Sequence, residues 1–457
     1  MKSSKSQIQA KFHKIPLLKF EDQQLTSFSG LLIFQVLFQR LNLKQRLKQC
    51  FSHLKVSPIF GRHLVVLLLI IHLLLGFRRL REVDYYRDDP IVLRLMGLRQ
   101  LPDVSTISRA LSRMDNENVD KVRELNRTLV LEGIKREHLN RLTLDFDGSV
   151  LTTKGHAEGS AIGFNKKRKG ARSYYPLFCT IAQTGQFFDL LHRPGNVHDS
   201  NGADQFMREC FTRLKQELKK TQFESRMDSA FFNQNILDVF GTDVEFTTSV
   251  PFERFTELKE KVENRKRWRK IDDQWSFFET DWKPKSWDTS YRFIFTRKKS
   301  QKPRKGPLQL YLFEPRDFDY DYKVIVTNKT DSAEDVVLFH NGRGSQEAIF
   351  GDAKTYSGLD VIPTKRLIGN QIFTLCSMIA HNLSRELQMV TGPIFPHTTK
   401  KRAALWNFEK MSTLRHRIIQ RAGRLTRPQG NLTLTMSANK TVQKNLMVFL
   451  DLLQKSA

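Results

Sequence analysis

The chain has 457 residues, 40% of them hydrophobic, and carries 75 Lys+Arg against 48 Asp+Glu for a formal net charge of +27. That length exceeds one ordinary core and implies roughly two to four domains. A charge excess of this size repels itself unless a polyanion meets it, so nucleic acid is the expected partner and a merely solubilising surface the weaker reading.

Cys50, Cys179, Cys210 and Cys376 are scattered and form no C-x-x-C pair. The spacing argues against structural zinc and a disulfide framework and suits a reducing cytosol. The first residues, "MKSSKSQIQAKFHK", are basic without an apolar stretch or a cleavage site, which is not the pattern of a secretory signal. The most apolar run, "HLVVLLLIIHLLLGF" at 63–77, is shorter than the ~20 residues of a membrane span and contains His72. It predicts a buried core helix, and no membrane partner is expected.

In chain order, residues 1 to 138 read as helical, with long Leu-rich runs and few turn signals. Within them "LPDVSTISRALSRM", 101–114, offers Asp103 or Ser105 as a cap and leaves Ser108, Arg109, Ser112 and Arg113 free to face out. Small polar residues and arginines at a helix start suit a DNA groove, although ordinary helices carry the same pattern. "RLTLDFD" then alternates as a strand, with Leu142, Leu144 and Phe146 on one face and Thr143, Asp145 and Asp147 on the other. "SYYPLFCTIA" and "QFFDLLHRPGN" predict a hairpin, followed by an amphipathic helix that Asp199 or Ser200 could cap. "FESRMD" reads as a short strand ending at Asp228, "SAFFNQNILDVF" as a helix and "VEFTTSV" as another strand. Residues 251 to 320, with four tryptophans and the runs "RKRWRK" and "RKKSQKPRK", predict a β-rich insertion. "YKVIVTN" restores a core strand, and "NQIFTLCSMIAHNLSRELQMV" predicts a buried helix.

Between those two lies "HNGRGSQEAIFGDAK", 340–354. On one continuous helix, with Arg343 at zero, Glu347 falls at about 40°, Lys354 at about 20° and His340 at about 60°. They would share a single stripe, either a solvated one with an Arg–Glu pair or a functional one. Asp147 and Asp228 end strands and are followed by small residues, and Glu347 adds a third acid from a helix. Hard oxygen ligands from three acids suit Mg²⁺, and two such ions about 4 Å apart can drive chemistry on a phosphodiester. Asp145 is the rival to Asp147, Asp199 is read as a cap, and His192 and His198 as turn histidines.

In this order and spacing, "D-G-S", "G-N-V-H-D-S", "R-M-D-S" and "N-G-R-G-S-Q-E" resemble bacterial insertion-sequence transposases of the DDE class. The match is to the branch with a tyrosine–arginine–glutamate–lysine signature, insertion-sequence group thirteen-eighty, and covers about residues 100 to 390. Arg343, Glu347 and Lys354 fit its R-x3-E-x6-K spacing, while His340 stands where the tyrosine usually is. The resemblance implies an α/β fold: an RNase H-like catalytic core with a β-rich insertion, preceded by a helical N-terminal DNA-binding region. The corresponding segments are 1–138 for the DNA-binding region, 139–250 and 321–395 for the core, 251–320 for the insertion and 396–457 for a basic C-terminal arm. It implies Asp147, Asp228 and Glu347 as catalytic ligands of two Mg²⁺ (or Mn²⁺) ions, with Arg343, Lys354 and His340 on phosphates. Arg109 and Arg113 would contact DNA. Relatives cut through a hairpin and trap a flipped base on a tryptophan before the strand equivalent to "KVIVTN". Here Tyr320 and Tyr322 stand there, with Trp282 and Trp287 as alternatives and core packing the blander role for each.

The implied partners are double-stranded DNA, both element ends and target, and a second copy of the chain in a homodimer. The setting would be the cytoplasm, at the bacterial nucleoid. The implied function is binding of terminal inverted repeats, metal-dependent cleavage and transfer of 3′-OH ends to target DNA. The rivals are an RNase H-like nuclease without strand transfer and a non-catalytic DNA-binding descendant.

Overall fold

A computed structural model of the protein describes residues 16, 18–54, 60–299, 320–391 and 408–455. The signal-peptide reading at the start, most of "RKKSQKPRK" and the first part of the expected C-terminal arm fall outside these residues.

Among the described residues, the short strand Leu25–Thr26 is followed by six α-helices: α1 (Leu31–Arg40), α2 (Leu43–Cys50), α3 (Arg62–Leu75), α4 (Pro90–Met96), α5 (Val104–Ser112) and α6 (Asn116–Glu137). The apolar run forms α3, buried from Val65 to Leu75. His72 inside it binds the Tyr86 hydroxyl at 2.8 Å, and burial lowers its pKa to about 4, which keeps it neutral. Among the described residues no helix is long and apolar enough to cross a membrane. Asp103 caps α5 by accepting from the Thr106 N–H, as one of the two expected caps.

The centre is a nine-stranded mixed sheet. Its strands are β1 (Arg141–Gly148), β2 (Leu177–Ile181), β3 (Gln186–Leu191), β4 (Gln222–Met227), β5 (Val244–Val250), β6 (Arg269–Lys270), β7 (Trp275–Trp282), β8 (Tyr291–Lys299) and β9 (Tyr320–Thr327), in the order β6-β7-β8-β9-β5-β4-β1-β2-β3. β1, β4 and β5 are parallel, and antiparallel strands extend the sheet on both sides. Alternation in β1 sends Leu142, Leu144 and Phe146 into a core with Phe206, Met207 and Phe211 of α7 (Ala203–Glu217). The opposite face carries Asp145 and Asp147 and is covered by α8 (Ala333–Asn341) and α9 (Ser345–Tyr356). Behind them α10 (Leu367–Thr391) is buried along most of its length and packs on α3 and α6.

Several expectations change. Residues 229–240 do not form one helix: a 3₁₀ turn at Ser229–Phe231 precedes the four-residue helix Gln234–Leu237, whose cap Asn233 accepts from the Asn235 N–H. α7 starts after Gly202, in the left-handed region at φ 69°, and takes no side-chain cap. The described strands of the expected insertion are continuous with the central sheet, since β8 pairs with β9 along eight residues. The basic segment expected as an arm is folded onto the rest of the chain from residue 408 onward. Gly423–Thr426 pairs with the short strand Leu25–Thr26, and Leu414, Ile418 and Ile419 join the N-terminal core. Arg415, nearly buried, donates to the carbonyls of Leu73 and Leu74 and to that of Tyr356.

Candidate active site

Strand register assembles the site. β1 and β4 pair from Arg141↔Gln222 to Asp145↔Arg226. Two residues further along, Asp147 and Asp228 stand side by side at the carboxyl ends of parallel strands. Asp228 also accepts from the Ala230 N–H of the turn it begins. The Asp147 carboxyl is pushed up to about 7, first by burial and next by the neighbouring Asp228 carboxylate, with Arg343 opposing and Asp199 adding to the rise.

Asp145 is different. It is fully buried and bidentate to Arg226, with Nε–Oδ1 2.7 Å and Nη2–Oδ2 2.6 Å. That pair, and the Gln346 amide that donates to the Asp145 carbonyl and to the Thr180 hydroxyl, tie α9 to the sheet. Neither Arg226 nor Gln346 stood out in the sequence, because each reads locally as an ordinary polar position.

The expected single stripe on 340–354 is broken. α8 ends at Asn341, Gly342–Gly344 tightens into a 3₁₀ turn, and α9 begins at Ser345. His340 is therefore buried on the sheet side, with Nδ1 3.0 Å from the Thr247 hydroxyl and Nε2 2.9 Å from that of Ser249. Burial first, then Lys323, Arg343 and Arg226, hold its pKa well below the ordinary value. Both ring nitrogens are thus engaged by hydroxyls of β5. Arg343 Nη1 lies 3.8 Å from Asp147 Oδ2. Lys354, partly buried, puts Nζ 3.5 Å from the Val150 carbonyl. Glu347 sits exposed in the first turn of α9. Among the described residues no three His, Cys, Asp or Glu side chains converge on one metal-sized point. The structure thus pairs the two aspartates, brings Arg343 and Lys354 near Asp147 and leaves Glu347 on the adjoining helix.

Asp199 is not a cap. Its carboxylate accepts from the Tyr175 hydroxyl at 2.7 Å and from Arg193 at 3.3 Å, and it borders Gly148, where a Cβ would meet Asp199 Oδ1 at 2.2 Å. Burial raises its pKa, and Asp228 adds to the rise. His192 is half-buried, packed on Tyr174 with its pKa lowered by burial to about 4, while His198 binds the Ser200 hydroxyl. They form no metal pair. Trp287 is core, 8% exposed and tilted against Phe232, and Trp282 packs edge-on against Phe255 and Phe293 with its indole N–H on Glu257. Both pack in the positions that the blander reading gave them. Tyr322 is half-buried beside Trp268, and the Arg297 guanidinium covers both Trp268 and Tyr320. Arg109 is exposed but folded back on Ser105 and Thr106 of its own helix, and Arg113 is exposed at the end of α5.

Fold and site together define a mixed α/β protein with an acidic pair at the edge of its central sheet and basic side chains around it. The family model described as transposase DDE domain group 1 matches residues 9–457, and the chain belongs to that family of transposases. A similar solved structure is the piggyBac transposase synaptic complex with hairpin DNA, 11% identical, with 79% of this chain and 76% of that chain covered at a TM-score of 0.43. No curated protein matches the chain.

Proposed function

We propose that this transposase binds the terminal inverted repeats of its own element, cuts the DNA at their ends and joins the freed 3′-OH groups to target DNA. Asp147, Asp228 and Glu347 are its catalytic acids. The carrying observation is the register that sets Asp147 beside Asp228, with the Asp147 carboxyl raised by burial and then by its neighbour. Two carboxylates crowded in this way, with hard oxygen donors, suit Mg²⁺ or Mn²⁺. Glu347, from the adjoining helix α9, would complete the donor set that holds the ions. Two divalent cations, when bound, supply Lewis-acid stabilisation of the attacking and leaving oxygens.

The remaining work belongs to the chain. Arg343 offers a planar fork to a phosphate beside Asp147, and Lys354 a point charge. The Asp145–Arg226 pair and His340 hold the turn that carries Arg343. Arg109 and Arg113 on α5 are assigned to DNA outside the cleavage site. We place the chain in the tyrosine–arginine–glutamate–lysine branch, group thirteen-eighty, and read the parallel strands β1, β4 and β5 with the antiparallel β2 and β3 as an RNase H-like core. Two ends held at once call for a homodimer on DNA, in a bacterial cytoplasm.

The test is strand transfer with a precut duplex ending in the inverted repeats that flank the gene. Joined product in the presence of Mg²⁺ supports the reading. Cutting without joining would make the chain a nuclease, and binding without cutting would make it a DNA-binding descendant.

A further inference from the structure

Lys323 lies in "YDYKVIVTN", where the sequence shows only a polar position at the start of a strand. Strand parity assigns it a face. Val324 and Val326 enter the core with Phe246 and Phe293, so Lys323 and Ile325 point the other way, where Ile325 packs under Val336 and Val337 of α8. Register assigns it an edge. β4 ends at Met227, opposite Thr248 of β5, and β9 meets β5 at Val324↔Val250. Because β9 is antiparallel to β5, its amino end lies at the carboxyl edge of the parallel strands. Lys323, one residue before Val324, therefore shares both face and edge with Asp228 and Asp147.

The charges around it are unbalanced. Arg226 is neutralised by Asp145, and Arg343 lies against Asp147. His340 is engaged by two hydroxyls. Lys323 is half-buried, and among the described residues no carboxylate pairs with it. Asp321, two residues earlier on the same face, is exposed and lies across from Lys298. Burial and then Arg343 lower the Lys323 ammonium to about 8. A folded chain keeps a half-buried cation next to another cation at a cost unless an anion joins them.

We propose that Lys323 is a phosphate-binding residue of the cleavage site, which with Arg343 grips the DNA backbone on the β9 side of the paired aspartates. The proposal rests on the DNA-cutting function above and adds a contact on the side away from Lys354. The phosphodiester of the bound strand is the anion that fits, since two cations at one face of the sheet match its shared negative charge.

Full-length protein and a duplex carrying the element's terminal repeat provide the test, with Lys323→Gln, Lys323→Met and Lys323→Arg compared for cleavage, DNA affinity across salt and thermal midpoint. Gln and Met are expected to slow cleavage by about tenfold to a hundredfold, as for loss of one charge-assisted hydrogen bond. They should lower the slope of log K against log[salt] by about one. Arg should retain most of both. The thermal midpoint of Lys323→Met should stay or rise, because an uncompensated half-buried charge has been removed. Wild-type cleavage with an unchanged slope in Lys323→Met overturns the assignment. So does slowed cleavage with a lowered midpoint and an unchanged slope, which would make Lys323 a packing residue. A wild-type chain that binds no duplex would instead remove the parent function, and this contact with it.

Discussion

Asp145 and Asp147 occupy one face of one strand, two residues apart, yet a single partner separates their roles. Arg226 locks Asp145 in a buried bidentate pair, whereas Asp147 meets Asp228 and a single, longer contact from Arg343 at 3.8 Å. Asp145→Asn should therefore cost about 3 kcal/mol or more of stability, because it leaves Arg226 buried without its counter-charge; urea unfolding measures this, and an unchanged midpoint would refute the structural role. The sequence favoured Asp147 through the small residues after it, and the pairing supplies a physical reason that no local pattern contains. Asp147 also sets a pH dependence. Its folded value of about 7 lies above the ordinary 3.8, so the folded state binds the proton more tightly. Stability from this group is complete below the unfolded value and is lost as pH rises from about 4 through about 7. Mg²⁺ or Mn²⁺ should accordingly raise the thermal midpoint more at about pH 8 than at about pH 5, because binding displaces the proton. Asp147→Asn should flatten that difference, and an equal cation effect at both pH values in the wild type would contradict the assignment.

The elements on either side of Arg343 show where periodicity ends and packing takes over. A continuous helix would carry His340 round to the side of Glu347, but the 3₁₀ turn at Gly342–Gly344 turns His340 inward to β5 and leaves Glu347 outside. Gly342 makes the close approach possible, since a Cβ there would meet Arg226 Nη1 at 2.3 Å. Arg226 is held by Asp145 and cannot swing aside freely. Gly342→Ala should cost about 1–3 kcal/mol as local overpacking and slow cleavage further by displacing Arg343. A variant with wild-type unfolding and wild-type cleavage would show that the turn tolerates the extra carbon. β1 was legible from the alternation in "RLTLDFD", β5 from the apolar run "VEFTTSV", and α3 and α10 from unbroken apolarity. The helix starting near Asp199 was misread because Asp199 bonds to Tyr175 and Arg193, partners that come from segments beside the strands. Lys323 was invisible for a related reason: its face and edge depend on register across β4, β5 and β9.

At the scale of the whole chain, the charge of +27 and the folded C-terminal segment bear on how DNA is held. Arg415 joins the end of α3 to the end of α9 through backbone carbonyls, so part of the basic C-terminal sequence acts as a brace. Phosphate contacts should still dominate binding, and log K should fall with log[salt] with a slope of several units. A slope near zero between low and physiological salt would remove nucleic acid as the partner. Charge does not identify the scissile chemistry, which depends on three carboxylates. The most direct measurement is cleavage of a terminal-repeat duplex in Mg²⁺ by Asp147→Asn, Asp228→Asn and Glu347→Gln, with DNA affinity measured on the same samples. Each amide keeps the shape and removes a metal-ligand charge, so cleavage should fall by roughly two to four orders of magnitude while affinity stays within a few-fold of wild type. Cleavage near the wild-type rate in any one of the three, with the protein folded and DNA bound, would contradict the assignment of that acid to the site.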